Sequence, residues 1–168
     1  MSEKIIRPIT PADRPAILDL NTRAFGEPDE AQMIEQMEKD KDIVLQLVAE
    51  MDGQIVGHIL FYALGVFGRI GAVGLGPMSV DPWVQKEGIG KMLVNTGIKV
   101  LRQGGVSIVF VLGHDWFYPK FGFSTEQAAD FKTTLTGPHF MALRLRPGPP
   151  MSGRLIFPAA FGVPIAEV

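Results

Sequence analysis

Residues 74–94 read Gly-Leu-Gly-Pro-Met-Ser-Val-Asp-Pro-Trp-Val-Gln-Lys-Glu-Gly-Ile-Gly-Lys-Met-Leu-Val, and how this stretch is parsed decides the fold. Its first part belongs to an apolar run from Ala72 to Val80 that reads as a strand. Pro77 cannot donate to a ladder, so the strand is expected to be bulged or to leave part of its edge open to something other than a neighbouring strand. An ordinary edge strand would also tolerate it. The second part, Val84 to Lys91, puts Gly88 and Gly90 at the mouth of a helix expected from Gly88 to Gln103. Glycines there let the backbone approach a ligand closely, and the unpaired amides of a first helical turn attract anions, so a phosphate would fit. Two known phosphate loops fail on the residues themselves. A Walker A loop needs glycine where Gln85 stands and serine or threonine where Met92 stands, and the dinucleotide fingerprint needs a third glycine where Leu93 stands. Taken alone, a Gly-x-Gly is better read as a tight strand-to-helix turn without a ligand.

Working outward, the helix spaces Ile89, Leu93, Gly97 and Val100 along one expected buried side and stops at Gly104-Gly105. Ser107 to Leu112 is a short, nearly continuous apolar run, as expected of a strand buried on both faces. Strand, helix and strand within about 40 residues make a βαβ crossover with parallel strands. Upstream, Asp52-Gly53 separates two β-rich runs, Ile43–Glu50 and Gln54–Tyr62, and predicts a hairpin through a type I′ turn. A glycine-punctuated loop (Gly65, Gly68, Gly71) then leads to the strand at 72–80. Before the hairpin, Thr10-Pro11-Ala12-Asp13 is a helix start, followed by Ile17, Leu20 and Ala24 at helical spacing and by Gly26 as the stop; Pro28 opens a second helix carrying Ile34 and Met37. The pair is expected over 11–39. Downstream come a short helix around Asp115–Phe121, a strand at Gly122-Phe123 and a last strand near Phe140–Leu145. Pro147-Gly148-Pro149-Pro150 breaks secondary structure, and Pro158 and Pro164 interrupt the apolar tail from Met151. The organisation is therefore a domain over 1–146 and a proline-rich extension over 147–168 that packs on the domain or on a partner subunit.

The 168 residues are 46% hydrophobic and 20% charged, the composition of an ordinary globular chain long enough for one core. There is no cysteine, which excludes thiolate nucleophiles, redox dithiols and cysteine-held metal. A formal charge of −2 offers no field for phosphodiester backbones, so no nucleic-acid partner is expected. Gln54 and His58 interrupt the longest apolar stretch below the roughly 18 residues needed to span a bilayer, so no membrane is expected either. Nothing in Met-Ser-Glu-Lys-Ile-Ile-Arg reads as a secretory signal, which makes the cytoplasm the expected location.

The stretch at 74–94 resembles the acyl-CoA-binding motif of the GNAT superfamily of N-acetyltransferases: a strand ending in Val-Asp-Pro, then Gln/Arg-x-x-Gly-x-Gly/Ala opening a helix, with Gln85, Gly88 and Gly90 at the matching positions. Phe117-Tyr118-Pro119-Lys120-Phe121-Gly122-Phe123 resembles the family's Tyr-x-x-x-Gly-Phe segment, and the two motifs stand in the family's order, separated by a βα unit. The likeness extends weakly over residues 5–146. It implies an α/β (α+β) fold with a mixed, mostly antiparallel sheet, helices on both faces, and a V-shaped opening between the strands at 72–80 and 106–112 that would take acetyl-CoA.

By that resemblance, the amides of Gln85, Lys86, Glu87, Gly88, Ile89, Gly90 and Lys91 bind pyrophosphate, while the backbone of Met78, Ser79 and Val80 pairs with pantetheine as an added strand. The Val80 amide would stabilise the oxyanion of the tetrahedral intermediate, a contribution of about 3–4 kcal/mol per donor in other acyl transferases. Tyr118 is the candidate general acid for the departing thiolate. Its competing reading is an amphipathic ring packed among Phe117, Phe121 and Phe123. For the base, Glu27, beside the inter-helix bend, and His114, after the buried strand, rank equally. His58 reads as a satisfied core histidine and His139 as structural, and no histidine spacing suits a metal, which acyl transfer does not need. Trp83 and Trp116 flank the proposed site as cover or as packing. With no cysteine for a covalent acetyl-enzyme, the implied reaction is direct attack by a primary amine on acetyl-CoA. The alternative is an acyl-CoA-binding sensor without turnover. The apolar tail is a candidate homodimer interface.

Overall fold

The computed structural model describes residues 3–66, 71–135, 137–148 and 151–162, and its chain divides into two units, Met1–Phe61 with Pro77–Lys99 and Tyr62–Gly76 with Val100–Val168. Gly68, Pro149, Pro150 and Pro164, singled out above, lie outside the described residues. Strand β1 (Lys4–Pro8) leads through a 3-10 turn at Pro11–Asp13 into helices α1 (Arg14–Phe25) and α2 (Asp29–Asp40), then strands β2 (Ile43–Met51), β3 (Gln54–Val66) and β4 (Ala72–Val80), helix α3 (Ile89–Gln103) and strand β5 (Ile108–Leu112). The short α4 (Thr125–Ala128) and strands β6 (Phe131–Lys132), β7 (Phe140–Arg144) and β8 (Gly153–Ile156) follow. The strands hydrogen-bond in the order β1-β2-β3-β4-β5-β7, with β8 joining both β3 and β6. Pairing is antiparallel in β1–β2, β5–β7 and β3–β8 and parallel in β4–β5 and β6–β8, so the sheet is mixed and mostly antiparallel.

In the first unit, Thr10 and Asp13 form the anticipated helix start. The Asp13 carboxylate accepts from the Thr10 amide at 2.7 Å and from both terminal nitrogens of Arg7 at 2.8 and 3.0 Å. The Arg7 fork, then the Thr10 amide, hold its pKa well below the usual carboxylate range against the opposing effect of burial. Gly26 ends α1 at φ +77, and the hairpin residues Asp52 and Gly53 have φ +53 and +79, the left-handed pair a type I′ turn requires. Ile17 and Leu20 of α1 and Ile34 and Met37 of α2 are at most 2% exposed and form the helical part of the core.

Two consecutive residues of β3 show which helices cover the sheet. Gly57 faces α3 so closely that a Cβ there would stand 2.8 Å from Ile89 Cγ2 and 3.0 Å from Leu93 Cδ1. The next side chain, His58, points the opposite way and meets Asn21 of α1 at 3.1 Å. Helices thus lie on both faces. The inward side of α3 is Ile89, Leu93, Val94, Ile98 and Leu101, whereas Val100, expected there, is 39% exposed. At about 100° per residue the buried arc runs from Ile89 round through Gly97 and Leu101 to Ile98, and Val100 falls near its edge.

In the second unit, β4 pairs with β5 in register from Ala72↔Ile108 to Leu75↔Val111, and β5 pairs with β7 from Ile108↔Arg144 to Leu112↔Phe140. The strand expected at Gly122-Phe123 does not form. Gly122, at φ +102, ends a 3-10 turn over Tyr118–Phe121, and Ser124 then caps α4 by accepting the Gln127 amide at 3.2 Å. Nor is the strand at Phe140 the last one, since β8 adds to the end of β3 at Gly65↔Ile156 and Val66↔Leu155. Behind β8, Phe161 and Phe157 pack on Tyr62 with ring centroids 4.6 and 6.3 Å away.

Candidate active site

The end of β4 and the loop that follows are built to expose backbone. The register with β5 stops at Leu75, yet β4 runs on to Val80, with Gly76 at φ +149 and Pro77 next to it. Gln85 donates from Nε2 to the Val80 carbonyl at 3.2 Å, tying the loop back to the strand. Asp81 fixes the corner. Its amide donates to Val56 O at 2.8 Å, one carboxylate oxygen accepts from the Trp83 amide at 3.0 Å, and the other accepts from Arg23 Nη1 of α1 at 3.0 Å. Burial pushes the Asp81 pKa up, but the Trp83 amide and the Arg23 guanidinium outweigh it, so the pKa sits below its ordinary value.

Past that corner, Lys86 and Gly88 adopt left-handed conformations, φ +71 and +84. For a lysine this costs about 1–2 kcal/mol, a strain of the kind that collects at functional sites. Residues bracketed this way turn successive amides toward one side, the geometry of an anion nest. The first helical bond runs from Met92 N to Gly88 O at 3.0 Å, so the amides of Gly88, Ile89, Gly90 and Lys91 have no carbonyl partner among the described residues. Ile89, 1% exposed, anchors this turn against β3, while Gln85, Lys86, Glu87 and Gly88 are exposed and nothing stands within 4 Å of where a Gly88 Cβ would be. Met78 and Val80 are half-buried. Ser79 is 4% exposed, with its hydroxyl unpartnered among the described residues. A diphosphate and a strand-like amide arm fit these features: open amides for the first, and for the second a strand end whose register with β5 has stopped while β3 still neighbours its other edge.

The remaining carboxylate and histidine candidates separate by environment. Glu27 is exposed on the bend between α1 and α2. Its neighbour Glu30, which sequence reasoning passed over, has its pKa raised above the ordinary value by burial and then by the charges of Glu27 and Asp29. His58 is fully buried and doubly bonded: Nδ1 accepts from Asn21 Nδ2 at 3.1 Å and Nε2 donates to Gln46 Oε1 at 2.8 Å. Burial brings its pKa down to about 3, so it is a neutral core group, as its place on the strand suggested.

Tyr118 and His114 belong to the second unit and are linked there, the Tyr118 amide donating to His114 O at 3.2 Å. Tyr118 is 6% exposed, with Phe117 and Phe123 edge-on at 5.1 and 5.7 Å. Its phenol is packed among rings, as both readings of the residue expect. Burial pushes it up to about 12. His114 is exposed and stacks on Trp116 at 5.1 Å; Trp116 and Trp83 are 65% and 90% exposed, so neither is core packing.

Sequence reasoning also missed Asp81 and Gly113. Asp before Pro is a legible cap signal and pointed to the first. The second becomes visible only through the ring that lies on it. Among the described residues, no group of three His, Asp or Glu is placed to hold a metal, and no helix is long and apolar enough to cross a membrane.

Comparison with known proteins places this arrangement. Residues 14–123 match the model of the acetyltransferase (GNAT) family. The uncharacterized N-acetyltransferase YhbS of Escherichia coli is 32% identical over 135 residues, 79% of this chain and 81% of that protein. The uncharacterized N-acetyltransferase YjhQ of the same species is 38% identical over 117 residues, 67% of this chain, and the chain spans 65% of YjhQ's length. Among solved structures, YhbS in complex with CoA superposes with a TM-score of 0.88 at 29% identity, covering 96% of this chain and 93% of that one. A GNAT family acetyltransferase from Brucella melitensis in complex with acetyl-CoA gives 0.80 at 33% identity, covering 95% and 98%.

Proposed function

The chain belongs to the acetyltransferase (GNAT) family, and from that membership we propose that it transfers an acetyl group from acetyl-CoA to a primary amine by direct attack. The observation that carries this reading is the run of amides from Gly88 to Lys91 without a carbonyl partner among the described residues, opened by left-handed Lys86 and Gly88 and following a strand whose pairing with β5 stops early. The CoA and acetyl-CoA complexes of the two structural relatives support the choice of donor.

In this reading the amides of Gln85–Lys91 hold the diphosphate and the backbone of Met78–Val80 aligns the pantetheine arm. Acetyl-CoA supplies an activated carbonyl whose thiol is a good leaving group. The Val80 amide donates to the carbonyl oxygen as charge gathers there. Glu27 or His114 takes the proton the amine must lose. Tyr118 gives its phenolic proton to the leaving sulfur as the C–S bond breaks, and recovers one from solvent. The desolvation that keeps this phenol neutral also raises the proton affinity of a thiolate formed beside it, so the acid remains matched to its task.

Titration calorimetry with CoA, followed by thiol release across a panel of amines, tests the proposal. Wild type should bind CoA and release thiol with at least one amine. Gly88→Ala should bind CoA at least tenfold more weakly and remain folded, losing about 1–2 kcal/mol of stability to left-handed strain. Absence of CoA binding by a folded wild type would overturn the reading, and binding without product from any amine would turn it into that of a sensor.

A further inference from the structure

At the end of β5 the backbone ladder gives out and a side chain takes over from it. The last registered pair is Leu112↔Phe140, after which the Gly113 amide still donates to His139 O at 2.9 Å. The return bond comes from the imidazole, with His139 Nδ1 3.1 Å from Gly113 O. A carbonyl can only accept, so Nδ1 carries the hydrogen, as it does in the imidazolium and in one neutral tautomer. Gly113 is therefore held by two bonds from one residue. On it rests the ring of Tyr118: a Cβ at Gly113 would collide with Cε2 and come within 2.9 Å of Cδ2. The next residue, His114, accepts the amides of both Phe117 and Tyr118 at 3.1 and 3.2 Å. Ring and backbone of Tyr118 are thus seated on the same two residues. His139 itself is exposed, so its side chain contributes little to core packing.

We propose that His139 is a positioning residue for Tyr118, clamping Gly113 so that the phenol is held at one depth and one angle. This rests on the reading of Tyr118 as the acid, but the placement can be tested without turnover. The chain has only two tyrosines, so Tyr62→Phe leaves Tyr118 as the single reporter in an ultraviolet tyrosinate titration. In that background, His139→Ala should move the Tyr118 midpoint from about 12 toward the ordinary phenol value of about 10 as the ring loosens into water. His139→Asn puts an N–H where Nδ1 stood and should restore the high midpoint. His139→Asp, of the same size but without the donor, should behave like alanine and carries the test if the alanine variant does not fold. With native Tyr62, the Ala and Asp variants should lower kcat at least fivefold and leave KM for acetyl-CoA unchanged. A midpoint that does not move in folded His139→Ala or His139→Asp would overturn the proposal. If the midpoint moves but Tyr118→Phe retains full rate, the clamp stands and the acid role falls.

Discussion

The two tyrosines solve one packing problem to different ends. Each is buried in the second unit, each is pushed up by desolvation, and each lays its ring on a glycine of a neighbouring strand or strand end, Tyr62 on Gly74 and Tyr118 on Gly113. Tyr62 lies mid-strand, walled in by Phe157 and Phe161 from the segment behind β8. Tyr118 lies on a 3-10 turn just past the end of a strand, in a ring cluster with Phe117 and Phe123. Residue type, burial and acidity shift are alike, so none of them marks a reactive phenol. The difference is the backbone: Tyr62 is held within a paired strand, whereas Tyr118 stands on a 3-10 turn seated on Gly113 and His114, with His139 bonded to Gly113.

That contrast is sharpest in the glycines. Gly74→Ala should cost about 3 kcal/mol or more in urea unfolding, because its Cβ would collide with Cζ, Cε2 and the hydroxyl oxygen of Tyr62, and the Phe157 and Phe161 rings leave that side chain no easy exit. Gly113→Ala should cost clearly less, since the ring it meets belongs to a short 3-10 turn past a strand end rather than to a paired strand. Equal losses would erase the distinction.

A third buried titratable group extends the comparison. His58 stays neutral in the folded chain down to about 3, whereas an unfolded histidine protonates near 6.5, so the unfolded chain takes up the proton first. Its contribution is full above pH 6.5 and is lost as pH falls toward 3. Between pH 8 and 5 stability should drop by about 2 kcal/mol, at roughly 1.4 kcal/mol per unit in the steep part. His58→Gln, studied by urea unfolding at both pH values, should flatten this slope.

The phenols separate in turnover. Tyr118→Phe should lower kcat at least tenfold, about 1.4 kcal/mol, without loss of folding. Tyr62→Phe should change it less than twofold. If both variants lose rate alike, the two tyrosines differ only in packing. The smallest effect is expected at the loop: Lys86→Gly relieves a left-handed side chain and should raise stability by at most about 1 kcal/mol, with CoA affinity unchanged in calorimetry.

Much of the molecule is written locally. Asp52-Gly53 announces its hairpin because both residues tolerate positive φ, Thr10–Asp13 announces a helix start, and the Gly88-Ile89-Gly90 mouth follows a strand that Pro77 keeps from being ordinary. Local errors arose where a distant partner decided. Gly122-Phe123 did not become a strand because Gly122 closes a turn and Phe123 is drawn into the core, and the chain after Pro147 held another strand because the end of β3 was there to pair with it.

The amino-acid order alone determined the hairpin, the βαβ crossover and the amide-rich turn at 85–91, since each depends on backbone preferences within a few residues. Only the tertiary structure decided that His58 is silent, that Asp81 is locked to Arg23, and that Gly113 and His139 seat Tyr118. Desolvation and hydrogen bonding between residues tens of positions apart exist only once the chain has brought them together.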